Sequence, residues 1–145
     1  MTSKPNQVAA AGSVQHLNPA TLHHNPAFSQ AVAVSGAVKT VYIGGQNAVD
    51  VTGAIVGKGD IAAQTEQVMQ NLQAALAAGG ASLEHVIKWN LYLVQGQPLQ
   101  PGLEVFQRVW NRRPNPAAIS MAFVAGLANP DFLLEMDAIA VVPLA

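Results

Sequence analysis

One carboxylate interrupts an otherwise apolar segment of this sequence. Glu135 lies within Phe132–Met136, where every other side chain is apolar. A carboxylate in such surroundings can orient a water molecule for attack on an electrophile. The same pattern also fits an edge or interface glutamate that pairs with a Lys or Arg. The residues alone leave both interpretations open.

Three further positions are of a type that binds small molecules. Gly45 can present its backbone N–H to a ligand, or it can simply permit a bend in a strand. Ser120 can offer a hydroxyl to a ligand, although an ordinary strand hydroxyl is the simpler interpretation. Asn90 falls on the mixed polar and apolar face of a predicted strand and is a candidate lining residue. None of the three by itself defines a reaction.

Spacing and charge argue against several other chemistries. His23 and His24 are adjacent and point apart in an extended chain, with no acidic residue nearby in sequence, so a metal site is disfavoured. Arg108, Arg112 and Arg113 form a basic group at the end of a predicted helix, but the net charge of the chain is −1. We therefore expect no metal, no cofactor and no nucleic-acid partner.

The absence of certain residues and motifs narrows the function further. The sequence has no cysteine, which excludes a disulfide framework, a thiolate nucleophile and a Cys-ligated metal. No Walker or His-Glu-x-x-His motif occurs. No run approaches the roughly 20 apolar residues of a membrane-spanning helix. We expect no membrane partner and a cytoplasmic location.

Periodicity predicts the elements that must position these residues. An apolar stripe with helical spacing follows Asp60 and stops at Gly79-Gly80, and a second such stripe runs from Leu99 to Trp110. Alternating and β-branched residues predict five strands, at Phe28–Val34, Val38–Ile43, Val86–Val94, Ala118–Val124 and Phe132–Val142. The resulting order, β-β-α-β-α-β-β, predicts an α+β fold in which one mixed sheet carries both helices on one face.

Length and composition indicate one domain that associates with copies of itself. Residues 1–25 of the 145 lack periodicity and are expected to form a loosely ordered lead-in to a single domain over 26–145. Charged residues make up 10% of the chain, whereas about a quarter is typical of soluble domains. A monomer with so few charges would expose large apolar patches. We therefore expect a homo-oligomer.

Several segments, taken in order, resemble the Rid family of small trimeric proteins, also called YjgF or L-PSP. They are Phe28–Val32, Val41–Gln46, Asp60–Thr65 with Asn71-Leu72, Gly80–Leu83 with Val86–Lys88, Val109–Ala118 and Glu135–Ala140. The resemblance implies a chorismate-mutase-like fold and a homotrimer whose sheets line a central barrel, with three small-molecule clefts between subunits. Well-known members hydrolyse reactive enamines and imines derived from amino acids and release ammonia.

The resemblance also implies site residues. It assigns the water-positioning glutamate to Glu135, a ligand-binding backbone N–H to Gly45 and an aromatic ring to Phe28, where the family has tyrosine. The family's arginine, which binds the substrate carboxylate, falls on Ile119. The small polar residue two positions later falls on Met121.

Loss of the arginine changes the expected ligand. Removing the bidentate partner of a carboxylate costs about 2–5 kcal/mol of binding, and a wall of Phe28, Ile119 and Met121 would be apolar. The sequence therefore predicts clefts that bind a small, uncharged metabolite, and 2-imino acid deamination is disfavoured. The alternative is a divergent deaminase or other hydrolase that attacks a C=N bond with a glutamate-held water, so enzyme status stays open. Arg112 or Arg113 of a neighbouring subunit is the candidate replacement for the arginine.

Overall fold

A four-stranded mixed sheet is the centre of this computed structural model, which describes residues 2–5 and 8–145. The elements are strands β1 (Ser13–Leu17), β2 (Ala31–Ser35), β3 (Val38–Gln46), β4 (Val86–Val94), β5 (Ala118–Val124) and β6 (Leu134–Pro143), and helices α1 (Ile61–Ala78) and α2 (Leu99–Trp110). The sheet order is β3-β6-β4-β5, and only the β4–β5 pair is parallel. The predicted α+β class, with its mixed sheet and two helices, is confirmed.

Helix α1 begins and ends where the sequence predicted. The Asp60 side chain accepts a hydrogen bond from the Ala63 N–H at 3.1 Å, which satisfies one of the free N–H groups at the start of the helix. Gly80, with φ of 73°, turns the chain away after the last helical residue. The apolar stripe of α1 is buried against the sheet, as Val68, Leu72 and Leu76 have no exposed surface.

The two faces of the sheet differ sharply in composition. Leu134, Met136, Ala138 and Ala140 of β6 are buried beneath the helices, and we call their side of the sheet the helix face. The other side, which we call the open face, carries polar and aromatic side chains. Its members are Tyr42, Lys88, Asn90, Tyr92, Ala118, Ser120, Glu135, Asp137 and Ile139.

Strands β1 and β2 form a separate antiparallel ribbon that pairs Ser13 with Ser35. Residues 1–25 were expected to form a loosely ordered lead-in, and strand β1 lies within this segment. Strand β1 has little periodicity of its own and exists because β2 supplies its hydrogen bonds. The first predicted strand, Phe28–Val34, begins at Ala31 instead and pairs with β1 rather than joining the mixed sheet. Positions 1, 6 and 7 of the expected lead-in lie outside the described residues.

An irregularity near the start of β4 shifts one side chain to the other face. The pairing register with β6 changes between Val86 and Lys88. Val86 and Trp89 are consequently both buried, each 1% exposed. Strict alternation would place Ile87 on the same face as Trp89, but the extra residue reverses the alternation at this point.

Candidate functional site

Glu135 lies on the central strand β6, beside a bulge in β3. The β3–β6 register shifts between Ile43 and Gln46, which brings Gly45 against the glutamate side chain. A Cβ placed on Gly45 would lie 2.7 Å from both Cδ and Oε2 of Glu135. The glycine therefore leaves room for the carboxylate, whereas a Cβ on Gly44 would have no atom within 4 Å.

The Glu135 carboxylate retains acceptor capacity. The ion pairs found within residues 2–5 and 8–145 are Lys58–Asp131, His85–Glu84 and Arg108–Glu66, and none includes Glu135. The residue is half-buried. A half-buried carboxylate without a cationic partner can accept hydrogen bonds from a water molecule or a ligand.

Further polar side chains share the open face with Glu135, whose direct partner on β4 is Tyr92. Asn90 donates from Nδ2 to Asp137 Oδ1 at 2.7 Å, and Asn90 is paired with Ser120 on β5. Lys88 donates from Nζ to Ser120 Oγ at 2.7 Å. Same-face positions along a strand are about 6.6 Å apart, so the group spans only a few such steps. We call Glu135, Asp137, Asn90, Ser120 and Lys88 the polar strip.

Lys88 is the member of the strip that sequence reasoning missed as a site residue. It is half-buried and pairs with Ala118 on β5 and Ile139 on β6. Its ammonium group has three N–H donors, of which Ser120 takes one. The signal was available in the sequence, because Lys88 and Asn90 are two residues apart in a predicted strand and must share a face.

The strand register separates Ile119 and Met121 from the strip. Ile119 is paired with Trp89 and Met121 with Leu91, both on the helix face. Ala118 and Ser120 are instead the β5 residues on the Glu135 side. A shift of one residue along a strand exchanges its two faces. The expectation that Ile119 and Met121 form a wall of the glutamate's cleft is therefore corrected, and with it the reason for an uncharged ligand.

Phe28 is placed beside the start of β5. The neighbouring Ser29 donates its backbone N–H to Ala117 O at 3.1 Å and its Oγ to Pro116 O at 2.5 Å. Ser29 is only 2% exposed, and these bonds fix the segment that carries the half-buried ring of Phe28. Phe28 directly precedes the residue that is bonded to the start of β5. It does not line the cavity between α2 and the sheet.

One of the two arginines considered as replacements is engaged within its own chain. Arg113 donates from Nη1 to Val109 O at 2.9 Å and to Trp110 O at 2.6 Å. Its guanidinium lies 5.9 Å from the centre of the Trp110 ring. Arg113 thus closes the C-terminal end of α2, whereas Arg112 is exposed and has a positive φ of 53°.

The described residues contain neither a metal-binding cluster nor a helix that could span a membrane. No three His, Asp or Glu side chains within residues 2–5 and 8–145 are placed to hold a metal ion. His23 and His24 are both exposed. None of the described helices is both long enough and apolar enough to cross a lipid bilayer.

Comparison with known sequences identifies the class of protein. The profile of the family described as "Endoribonuclease L-PSP" matches residues 19–142. Protein DfrA of Myxococcus xanthus is 36% identical over 114 residues, which are 79% of this chain and 84% of DfrA. A RutC family protein of Pyrococcus abyssi is 37% identical over 114 residues, which are 78% of this chain and 84% of the relative.

Solved structures agree with this class. YyfB of Yersinia pestis, a Rid-family protein of unknown function, superposes with a TM-score of 0.78 at 32% identity and covers 89% of this chain and 98% of its own. TdcF of E. coli with bound serine has a TM-score of 0.64 at 28% identity, covering 71% and 80%. The fold is thus that of the YjgF-like proteins. The chain belongs to the L-PSP family, also called Rid or YjgF, and the resemblance found in the sequence is confirmed.

Proposed function

We propose that the open face binds a small, amino-acid-like metabolite in a cleft that a second copy of the chain completes. The observation that carries this proposal is the polar strip. It combines a carboxylate that has no ion-pair partner among the described residues with an ammonium group that has donors to spare. TdcF, a relative of similar fold, is known with serine bound, which supports a ligand of this size and chemistry.

Lys88 favours a ligand that carries a carboxylate. An uncharged ligand was inferred because Ile119 fell on the position of the family's arginine, but Ile119 is on the helix face. Lys88 is the cation on the open face, held at Ser120. A lysine is a point charge rather than a bidentate fork, so we expect it to bind a carboxylate less tightly and with less control of orientation than arginine would.

A second copy of the chain is part of the proposal because the open face is incomplete in one chain. Tyr42, in the same row as Lys88, is 78% exposed. Tyr42 is on β3, an edge strand of the sheet, and an exposed aromatic side chain there is suited to pack against another subunit. A homotrimer of the kind that the family resemblance implies would cover this face and enclose the polar strip.

Hydrolysis of a C=N bond is the second candidate, and the position of Glu135 favours it. A carboxylate seated against Gly45 can hold a water molecule and accept its proton. The water oxygen adds to the imine carbon, and Glu135 passes the proton that it accepted to the nitrogen, which gives a carbinolamine. The hydroxyl proton of the carbinolamine then moves to the nitrogen as the C=O bond forms and the C–N bond breaks. The products are a carbonyl compound and ammonia, so no oxidant, reductant or metal is required.

One experiment separates binding from hydrolysis. Ammonia release from freshly generated 2-iminopropanoate is measured for the natural chain and for Glu135→Gln, and calorimetry measures serine binding to both. If the protein is a hydrolase, Glu135→Gln loses turnover by about 10²-fold or more and still binds serine. If it only binds, neither form releases ammonia above the uncatalysed rate, and Glu135→Gln binds serine more weakly than the natural chain because the carboxylate charge is lost.

Glu84→Gln is the matched control, since Glu84 is exposed and outside the polar strip. It is expected to behave as the natural chain. A folded protein that neither binds serine nor releases ammonia would overturn the proposal. Unchanged turnover in Glu135→Gln would overturn the hydrolytic role alone.

RNA cleavage is not proposed, although the family description contains the word endoribonuclease. The net charge of the chain is −1, whereas RNA-binding surfaces are strongly basic. Arg108 forms an ion pair with Glu66, and Arg113 closes its own helix. Two arginines of the basic group are thus already paired within the chain.

A further inference from the structure

An apolar cavity lies between α2 and the helix face of the sheet, on the side away from the polar strip. Its volume is about 150 Å³. The lining includes the rings of Trp89 and Phe106, the thioethers of Met121 and Met136, and the side chain of Ile119. The cavity is partly open to solvent, and its walls are almost entirely apolar.

The cavity has few hydrogen-bonding groups that could hold a water molecule. The one hydroxyl in its lining, that of Thr65, donates to the Ile61 carbonyl at 2.7 Å. A buried water molecule needs two to four polar partners, and apolar cavities of about 150 Å³ stay dry and take up benzene-sized molecules. An empty cavity also deprives its lining atoms of dispersion contacts. An apolar ligand would restore those contacts.

The lining favours an aromatic ring in particular. Trp89 and Phe106 meet edge to face, with centroids 5.9 Å apart and an interplanar angle of 84°. Such rings attract a further aromatic ring in offset or edge-on geometry. The sulfur atoms of Met121 and Met136 also make favourable contacts with aromatic rings.

The cavity has an entrance at the first turns of α2. Leu99, Leu103 and Met121 all line it and are 39%, 36% and 43% exposed. Pro98, the residue before α2, makes no side-chain cap, and no residue of α2 is fully buried. The entrance is therefore formed by partly exposed side chains of a helix start that has no side-chain cap.

We propose that this cavity is a second binding site, independent of the polar strip, for a small, uncharged, monocyclic aromatic molecule. The probe for the test is fluorobenzene, titrated into the full chain and followed by ¹⁹F NMR and by thermal unfolding. We expect saturable binding and a melting temperature that rises with probe concentration, because the ligand binds only the folded state.

Two substitutions at one position make the test specific. Ile119→Phe places a ring in the cavity and should weaken fluorobenzene binding by at least about tenfold, whereas Ile119→Val removes one methylene and should bind within about threefold of the natural chain. Circular dichroism establishes that each variant is folded. If Ile119→Phe does not fold, Met121→Phe fills the cavity from its entrance instead.

The outcomes are distinct. Absence of saturable binding to the natural chain would overturn the proposal. Equal binding by the natural chain and a folded filled variant would also overturn it, because the probe would then be elsewhere. Serine binding and ammonia release do not enter this test, so its failure would leave the function proposed for the polar strip standing.

Discussion

Among single residues, Gly45 is important because the Glu135 carboxylate occupies the space that a side chain at position 45 would fill. Gly45→Ala would place a methyl group 2.7 Å from that carboxylate, and the flexible glutamate would have to move. A displacement of about 1 Å in a site can cost on the order of 10²-fold in activity. We expect a loss of this order in ammonia release if the protein is a hydrolase, or a weaker serine affinity if it only binds, with little change in melting temperature.

Gly44→Ala is the matched control for this substitution. It adds the same methyl group one residue away, where no atom lies within 4 Å. Neither glycine has a positive φ, so neither substitution strains the backbone. Equal effects of the two variants on serine binding or turnover would contradict a close approach of the Glu135 carboxylate to Gly45.

The members of the candidate site were predictable to different degrees. Glu135 and Asn90 were found from residue type and alternation, and both lie on the open face, although their roles stay predictions. The sequence placed Ile119 and Met121 in one cleft with Glu135, whereas the pairing of β5 with β4 puts them on the helix face. Only the pairing of β5 with β4 reveals which side chains face Glu135. Ile119→Arg, which the sequence suggests as a rescue, would thus place a guanidinium in the apolar cavity.

At the scale of elements, Gly36 determines how the β1–β2 ribbon joins the rest of the chain. Its φ is 76°, and an added Cβ would lie 2.2 Å from Ala11 O. Gly36→Ala therefore strains its own backbone and also pushes residues 10–12 away. We expect faster amide hydrogen exchange throughout β1 and a lower melting temperature.

Gly53→Ala separates the backbone strain from the clash with Ala11. Gly53 has a similar φ of 87° but no atom within 4 Å of an added Cβ. It should cost only the left-handed penalty, about 1–2 kcal/mol in the free energy of unfolding, and leave exchange in β1 unchanged. Equal losses of stability and equal exchange in β1 for the two variants would argue against a clash at Ala11.

Elements with local patterns were predicted well, and those without were not. Helix α1 and strands β4 and β5 have strong periodicity, and their predicted bounds agree with the structure. Strand β1 was missed because its stability comes from β2, a partner more than a dozen residues away. A strand is stabilised by side-chain pairs with the neighbouring strand. The local sequence of β1 therefore gives no information about its partner.

At the scale of the whole molecule, the exposed aromatic on the open face predicts association. We expect light scattering at micromolar concentration to give three times the chain mass of 15.1 kDa. Tyr42→Asp would place a charge on the face that the proposed trimer covers, and it should lower the mass toward that of one chain, since burying an unpaired charge is costly.

Val51→Asp is the control for this prediction. Val51 is fully exposed in the loop after β3, so a charge there should leave the trimer intact. A monomeric natural chain would contradict both the composition argument and the family resemblance. Identical masses for the two variants would show that Tyr42 lies outside the subunit interface.

The order of strands in the sheet also governs how this chain can fold as it is made. Strand β6 lies between β3 and β4, and Val38 pairs with Pro143. It is the last of the six strands to leave the ribosome, so β3 and one edge of β4 lack their partner until it emerges. Pairings this distant in sequence form slowly and leave strand edges open to aggregation. We therefore expect the chain to be most prone to aggregation before its final strand completes the sheet.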